Sequence, residues 1–233
     1  MKFIQHFSSS EGNLYTLESG DSRIMIECGV SWKKIQKSLD FNIGNVDFCL
    51  VTHEHKDHCK SWPNVEWARI PVYASEGTHS TWSCGYDDMY VLTSLVFTHI
   101  GKWSVFPFAT HHDCIEPQGF IISDGKENML FATDTFMIEE RFAMKFDIIS
   151  IECSYDKDIL LDRLDNGQID EMRCKRLLKS HMEKRTTLSY LQTCCNLKKC
   201  REVHLLHMSK ENLDRDKTVK EFEESLMIKI ITV

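Results

Sequence analysis

The chain has 233 residues, 42% of them hydrophobic and 27% charged, with 35 Asp and Glu against 28 Lys and Arg for a formal net charge of −7. That is the make-up of an ordinary globular protein able to bury a sizeable core, and its sign argues against a protein that coats long nucleic acid through global charge. No apolar run approaches a membrane span, and the opening MKFIQHFSSS lacks the apolar core of a secretory signal, so the ten cysteines, which show no paired spacing, read as reduced thiols of a cytoplasmic protein.

In chain order, short alternating or apolar runs predict strands over KFIQHF, NLYTLES and SRIMIEC, separated by turns at SSSEG and GD. SWKKIQKSLD predicts a helix with Trp32, Ile35 and Leu39 on one face and Ser31 as its N-cap. NVDFCLVT predicts a buried strand that ends at a cluster of histidines, and PVYAS predicts a further strand. WSVFPFAT, QGFIISD and NMLFAT form a second strand group, the last two joined by a turn at GKE. A helical stretch is expected before the strand FDIISIEC, and residues 156–196 read as mostly helical. EVHLLHM predicts a strand, RDKTVKEFEESL a helix and MIKIITV a final strand. There is no repeat and no Pro/Gly-rich linker, so residues 1–233 are expected to form one α/β domain of two mixed sheets packed face to face with helices outside.

The segment THEHKDH follows the buried strand directly. His53 and His55 are two apart, so in extended backbone they project to one side, while Asp57 and His58 come after the chain begins to turn and aim at a second point. Paired imidazoles suit a borderline-soft divalent ion, and a carboxylate with an imidazole suits another. A histidine-rich solvated turn is the bland alternative, but H-x-H-x-D-H is far more specific than H-x-H alone. Two metals need more donors, and these stand at other strand ends: His111 and His112, of which only one can face a site, then Asp134, whose two oxygens can bridge, then His204 and His207. His207 lies at the C-terminal end of its strand, whereas His204 reads as packed or rim.

THEHKDH, then HD at His112 and Asp113, ATDT around Asp134 and HMS at His207, in that order, resemble the motifs of the metallo-β-lactamase superfamily. The likeness covers nearly the whole chain, and SSSEGN, IECG and VYAS match its less specific parts. It implies an αββα sandwich with the metals at one edge between the sheets. It also implies one zinc on His53, His55 and His112, a second on Asp57, His58 and His207, and Asp134 bridging both. Glu27 stands where the superfamily usually has Asp, at a position that resembles an orienter of a ligating histidine.

Superfamily membership leaves lactams, thioesters and phosphodiesters open as substrates. His181, in KSHMEK about 26 residues before His207, resembles the additional histidine of the phosphodiesterase branch, which acts as general acid on a poor alkoxide leaving group. A basic run from Arg173 to Arg201 offers charge for a phosphate, although a solvated helix face explains most of it. ECSYDKD resembles a segment of YycJ-like proteins and their phage-encoded relatives, among them anti-Pycsar proteins that hydrolyse cyclic nucleotide monophosphates and silence an immune signal. That resemblance implies a homodimer in the bacterial cytoplasm, with one subunit's loop closing the other's pocket. The expectation is therefore a phosphodiesterase with two divalent ions, zinc or alternatively manganese, that opens cyclic AMP, GMP, CMP or UMP. Asp57 and His181 would be its catalytic residues. Phe136, Tyr155 and Trp82 are candidates for base stacking or simply core. The rivals are a YycJ or RNase Z-like nuclease, which would want more positive surface, and a non-catalytic nucleotide-sequestering protein.

Overall fold

The computed structural model describes residues 1–82 and 89–233. The first strands are β1 (Lys2–Phe7), β2 (Leu14–Ser19) and β3 (Ser22–Ile26), followed by α1 (Trp32–Ser38) and β4 (Cys49–Leu50). Short helices α2 (Lys56–Cys59) and α3 (Trp62–Trp67) lead to β5 (Val72–Ala74), and α4 (Glu76–Ser80) leads towards β6 (Met89–Val91). β7 (Thr98–Ile100), β8 (Trp103–Ala109), β9 (Gln118–Ser123), β10 (Asn128–Ala132) and β11 (Ile148–Glu152) come next. Then α5 (Lys157–Asp165), α6 (Glu171–Ser180), α7 (Lys184–Cys194), β12 (Glu202–Leu206), α8 (Arg215–Leu226) and β13 (Lys229–Ile231) complete the chain. The strands form two mixed sheets, with orders β1-β2-β3-β4-β5-β6 and β13-β12-β11-β10-β9-β8-β7. This is the α/β class expected, and no helix among the described residues is long and apolar enough to cross a membrane.

The chain divides into two compact units, one of Met1–Pro107, Cys114–Gln118 and Val233, the other of Phe108–Asp113 and Gly119–Thr232. In the first, β1, β2 and β3 are antiparallel and β3, β4, β5 and β6 run parallel. β4 is only two residues long where an eight-residue strand was expected. The ladder nevertheless continues irregularly on both sides, because Glu27 N–H reaches Leu50 O at 2.8 Å and Val51 N–H reaches Tyr73 O at 2.9 Å. Leu14, Met25, Ile35, Val51, Val65 and Val72 make the core beneath it. α1 begins at Ser31 as predicted, but the Ser31 carbonyl, not its hydroxyl, takes the first helical N–H groups. β6 and β7 were not foreseen, since three residues carry too little pattern.

In the second unit β9 and β10 are antiparallel, and β10, β11, β12 and β13 are parallel. All of IISIE in β11 is buried, as a central parallel strand covered on both faces requires, and Ser150 and Glu152 are buried along with the three isoleucines. The turn between β9 and β10 is closed by Asp124, whose carboxylate accepts the N–H groups of Lys126 and Glu127. Carboxylate caps start α5 (Asp156), α6 (Asp170), α7 (Glu183) and α8 (Asp214). The helix expected before β11 is absent. There Phe136 N–H bonds His111 O at 3.1 Å, Thr135 Oγ1 bonds Met137 O, and Glu140 O accepts from Tyr190 Oη, so the backbone finds partners outside any helix. The nine described cysteines form no disulfide with one another, and Cys84 lies outside the described residues.

Candidate metal centre

The first unit holds His53, His55, Asp57 and His58 on the loop that leaves β4 and enters α2. His55 is the N-cap of α2, extended at φ −62° and ψ 142°, and its carbonyl accepts from the N–H groups of His58 and Cys59. The chain thus turns after the second histidine, as the spacing required. The His53 ring centroid lies 4.8 Å from that of His55 and 4.1 Å from that of His58. His58 Nε2 is 3.5 Å from Asp57 Oδ2. Thr52 Oγ1 is 2.9 Å from His53 Nδ1 and fixes that ring from behind.

Four residues distant in sequence cradle this loop. Asn13 N–H donates to Asp57 O at 2.8 Å, Cys28 N–H donates to His58 O at 2.8 Å, and the Asn13 side-chain amide lies 3.1 Å from His58 Nε2. A Cβ on Gly29 would stand 1.6 Å from Asp57 O and 2.5 Å from His58 N, so only glycine permits this approach. Glu27 is fully buried, and its Oε1 lies 3.5 Å from His58 Nδ1 and 3.3 Å from Thr52 N. Its partner is therefore His58, and burial raises its pKa against the opposing pull of that imidazole. Asn13 and Gly29 close the segments SSSEGN and IECG noted in the sequence, but their roles were not assigned there, since the contacts that make them matter span tens of residues.

The second unit holds His112, Asp134, His181 and His207, and adds a residue that sequence reasoning did not assign, Glu152. Asp134 follows β10, Glu152 ends β11 and His207 follows β12, all at C-terminal ends of parallel strands, where α/β sheets place their chemistry. Asp134, Glu152, His181 and His207 are all buried and each offers a donor atom within 4.8 Å of the others. Glu152 Oε1 lies 2.7 Å from His181 Nδ1 and 3.2 Å from His207 Nδ1. Its Oε2 accepts the N–H groups of Thr135 at 2.7 Å and Met182 at 3.3 Å. One buried carboxylate thus fixes two imidazoles through Nδ1 and leaves Nε2 of each directed away from it. His181 ends α6 and stacks on His207 with ring centroids 5.1 Å apart.

His112 Nδ1 donates to Ser180 O at 2.7 Å, which makes Nε2 the lone-pair nitrogen, and that atom lies 3.5 Å from Asp134 Oδ2. Burial lowers the His112 pKa and so favours the neutral, ligating form. The opposite holds at His181: burial lowers its pKa, but the charge and hydrogen bond of Glu152 outweigh that and lift it to about 9. Glu152 answers in kind, its own burial overcome by His181 so that its pKa falls. The neighbouring His111 turns instead to Glu139, with Nε2 3.0 Å from Oε1. His204 is buried on β12 beside Glu202.

Two buried carboxylates grouped with imidazoles whose Nδ1 atoms are anchored are the donor chemistry of a divalent cation, and the fit to zinc or manganese is good in kind. The basic run from Arg173 to Arg201 is largely neutralised. Arg176 pairs with Asp113 at 2.7 Å, Lys199 with Asp147 at 2.8 Å, Arg185 with Asp158, and Lys184 is buried between Asp156 and Glu221.

Comparison with known proteins agrees with this chemistry. The model of the family described as the Beta-lactamase superfamily domain matches residues 22–208. The chain is 28% identical over 145 residues to exodeoxyribonuclease YycJ of Bacillus anthracis, covering 58% of this chain and only 54% of that relative, about half its length. It is 26% identical over 243 residues to exodeoxyribonuclease WalJ of Streptococcus pneumoniae, covering 95% of this chain and 84% of the relative. In three dimensions it is similar to the metallo-β-lactamase fold protein YhfI of Bacillus subtilis, with a TM-score of 0.75 at 15% identity over 99% of this chain and 95% of the other.

Proposed function

The chain belongs to the β-lactamase superfamily, as a metal-dependent hydrolase, and from that premise we propose that it is a dinuclear phosphodiesterase that opens cyclic nucleotide monophosphates to linear nucleotides. The observation that carries this reading is the Glu152–His181 pair, a buried imidazole held through Nδ1 by a carboxylate at 2.7 Å beside the Asp134 and His207 donors. A phosphodiester needs a proton for its departing alkoxide, and an imidazole paired with a carboxylate at Nδ1 is suited to give one from Nε2.

In this reading His53, His55 and His112 would hold one divalent ion, Asp57, His58 and His207 would hold the other, and Asp134 would serve both. Bound there, the ions supply a water of lowered pKa and offset the negative charge of the phosphoryl oxygens. Asp57 orients that water towards phosphorus. As the water oxygen bonds to phosphorus and the bond from phosphorus to the sugar oxygen breaks, His181 would give its Nε2 proton to that oxygen, and the proton released by the water would restore the imidazolium. Glu152 holds His181 at Nδ1 throughout and stabilises its charge. The net charge of −7 suits a small anion drawn by metals better than a long strand drawn by the surface. We further propose a single functional domain acting as a homodimer in the bacterial cytoplasm, with removal of a cyclic-nucleotide immune signal as its role.

A second reading, an exodeoxyribonuclease, is favoured by what the relatives from B. anthracis and S. pneumoniae are named for. One experiment separates the two. Metal-loaded protein is incubated with cyclic AMP, GMP, CMP and UMP and, separately, with labelled single-stranded DNA, alongside His53→Ala and His181→Ala. Cyclic-nucleotide turnover that vanishes in His53→Ala, and that falls in His181→Ala with metal content intact, supports the first reading. DNA degradation alone replaces it with the second, and tight nucleotide binding without product replaces both with a sequestering protein.

A further inference from the structure

Three aromatic residues stand out in the sequence as capable of stacking on a base, and the structure separates them. Trp82 and Tyr155 are buried, at 8% and 4% exposure, whereas Phe136 is 37% exposed. Among the described residues of the second unit it is the one exposed aromatic side chain. Its position is also particular. Phe136 lies two residues after the proposed ligand Asp134, and its N–H bonds His111 O at 3.1 Å, which ties its loop to the one that carries the proposed ligand His112. Its ring meets that of His111 with centroids 5.4 Å apart at 58°.

The His111 ring is itself held in place. Its Nε2 lies 3.0 Å from Glu139 Oε1, and its N–H donates to Thr135 Oγ1 at 2.9 Å. Thr135 N–H in turn is bound by Glu152 Oε2 at 2.7 Å. The two rings therefore stand on backbone fixed by the same buried carboxylate that fixes His181. An exposed aromatic on a rigid loop loses little entropy when a ligand covers it, and a flat π-face is what a nucleobase recognises whatever its sequence of donors and acceptors.

We propose that Phe136, backed by His111, is the platform on which the base of the nucleotide substrate stacks. This rests on the nucleotide reading above. It assigns base recognition to stacking, so all four bases are bound with similar strength. Glu139 is a positioning residue that acts through His111.

The test compares wild type, Phe136→Ala, Phe136→Leu and Phe136→Trp on cyclic nucleotides and on the cyclic ribose phosphate that lacks a base. Binding is read independently of turnover with the cyclic phosphate of 2-aminopurine riboside, whose fluorescence is quenched on stacking. Phe136→Ala and Phe136→Leu are expected to raise KM for all four cyclic nucleotides about tenfold, from the loss of one base–aromatic stack. They should leave kcat, metal content and hydrolysis of the baseless compound unchanged, and Phe136→Trp should restore both KM and quenching. Unchanged KM and quenching in Phe136→Ala would overturn the proposal, as would an equal loss on the baseless compound. Quenching by wild type without turnover of any cyclic nucleotide would defeat the phosphodiesterase reading and leave the platform standing. Turnover indifferent to Phe136 would do the reverse, and neither quenching nor turnover would remove both.

Discussion

Glu152→Gln removes one charge from the centre of the second unit while keeping its volume. The amide oxygen can still accept from Thr135 N–H and Met182 N–H, but the amide nitrogen must now face His181 Nδ1 and His207 Nδ1. A donor opposite a donor forces His181 to carry its hydrogen on Nε2 and to stay neutral. In the native protein Glu152 overcomes the effect of burial and holds His181 at about 9 against an ordinary value of 6.5. That difference corresponds to about 3 kcal/mol in favour of the protonated form. Between pH 6.5 and about 9 the folded metal-free protein keeps a proton that the unfolded chain has released, so its stability is full below pH 6.5 and declines as pH rises through about 9. Imidazole nitrogen NMR of chelator-treated protein should show His181 titrating far to the alkaline side of an ordinary histidine, and in Glu152→Gln at or below one. Urea unfolding should show the alkaline decline in wild type and a flat profile in the variant. A wild-type His181 that titrates like an exposed histidine, or a variant that titrates like wild type, would refute the assignment of Glu152 as the source of the charge.

Gly29→Ala should displace the Asp57–His58 backbone, since the added methyl would overlap Asp57 O, and destabilise the protein by about 3 kcal/mol; thermal melting and metal content measured by elemental analysis check it, and both should fall. Asp134→Asn should lower the occupancy of both ions in the same analysis, because one carboxylate is assigned to both. His204 gives an acid-side prediction. Burial lowers its pKa to about 4, despite the nearby Glu202 carboxylate and with Arg201 and Lys229 assisting. The unfolded chain then protonates before the folded one, so stability is full above pH 6.5 and falls by about 3 kcal/mol as pH drops towards 4. His204→Gln should flatten that limb of a denaturant titration.

The readable part of this molecule was the part in which chemistry and chain direction coincide. THEHKDH places four donors within six residues at the end of a buried strand, and no fold is needed to see it. The roles of Asn13 and Gly29 were illegible for the opposite reason, although SSSEGN and IECG were noted: each acts on the backbone of Asp57 and His58 from a remote loop. The segment 135–145 has helical composition, yet the hydrogen bonds of its backbone go to His111, Met137 and Tyr190, a tertiary override that no local propensity reports. Similarly, the basic run looked like a phosphate clamp until Asp113, Asp147, Asp156 and Asp158 were found facing it.

Glu152 is the instructive omission, because a signal for it existed. A carboxylate closing the run IISIE in a strand with no solvent-facing side must be paired, since a lone buried charge is too costly to keep. Backbone conformation points the same way. Glu27, Asp134 and His207 adopt φ of 64°, 46° and 53°, the left-handed region that glycine occupies without strain and that costs other residues about 1–2 kcal/mol. Each stands within two residues of a strand end. Five other non-glycine residues among those described share this conformation, but only these three are buried, and their side chains are two carboxylates and an imidazole. At these three strand ends the strained backbone and the buried donors therefore coincide in the same residues.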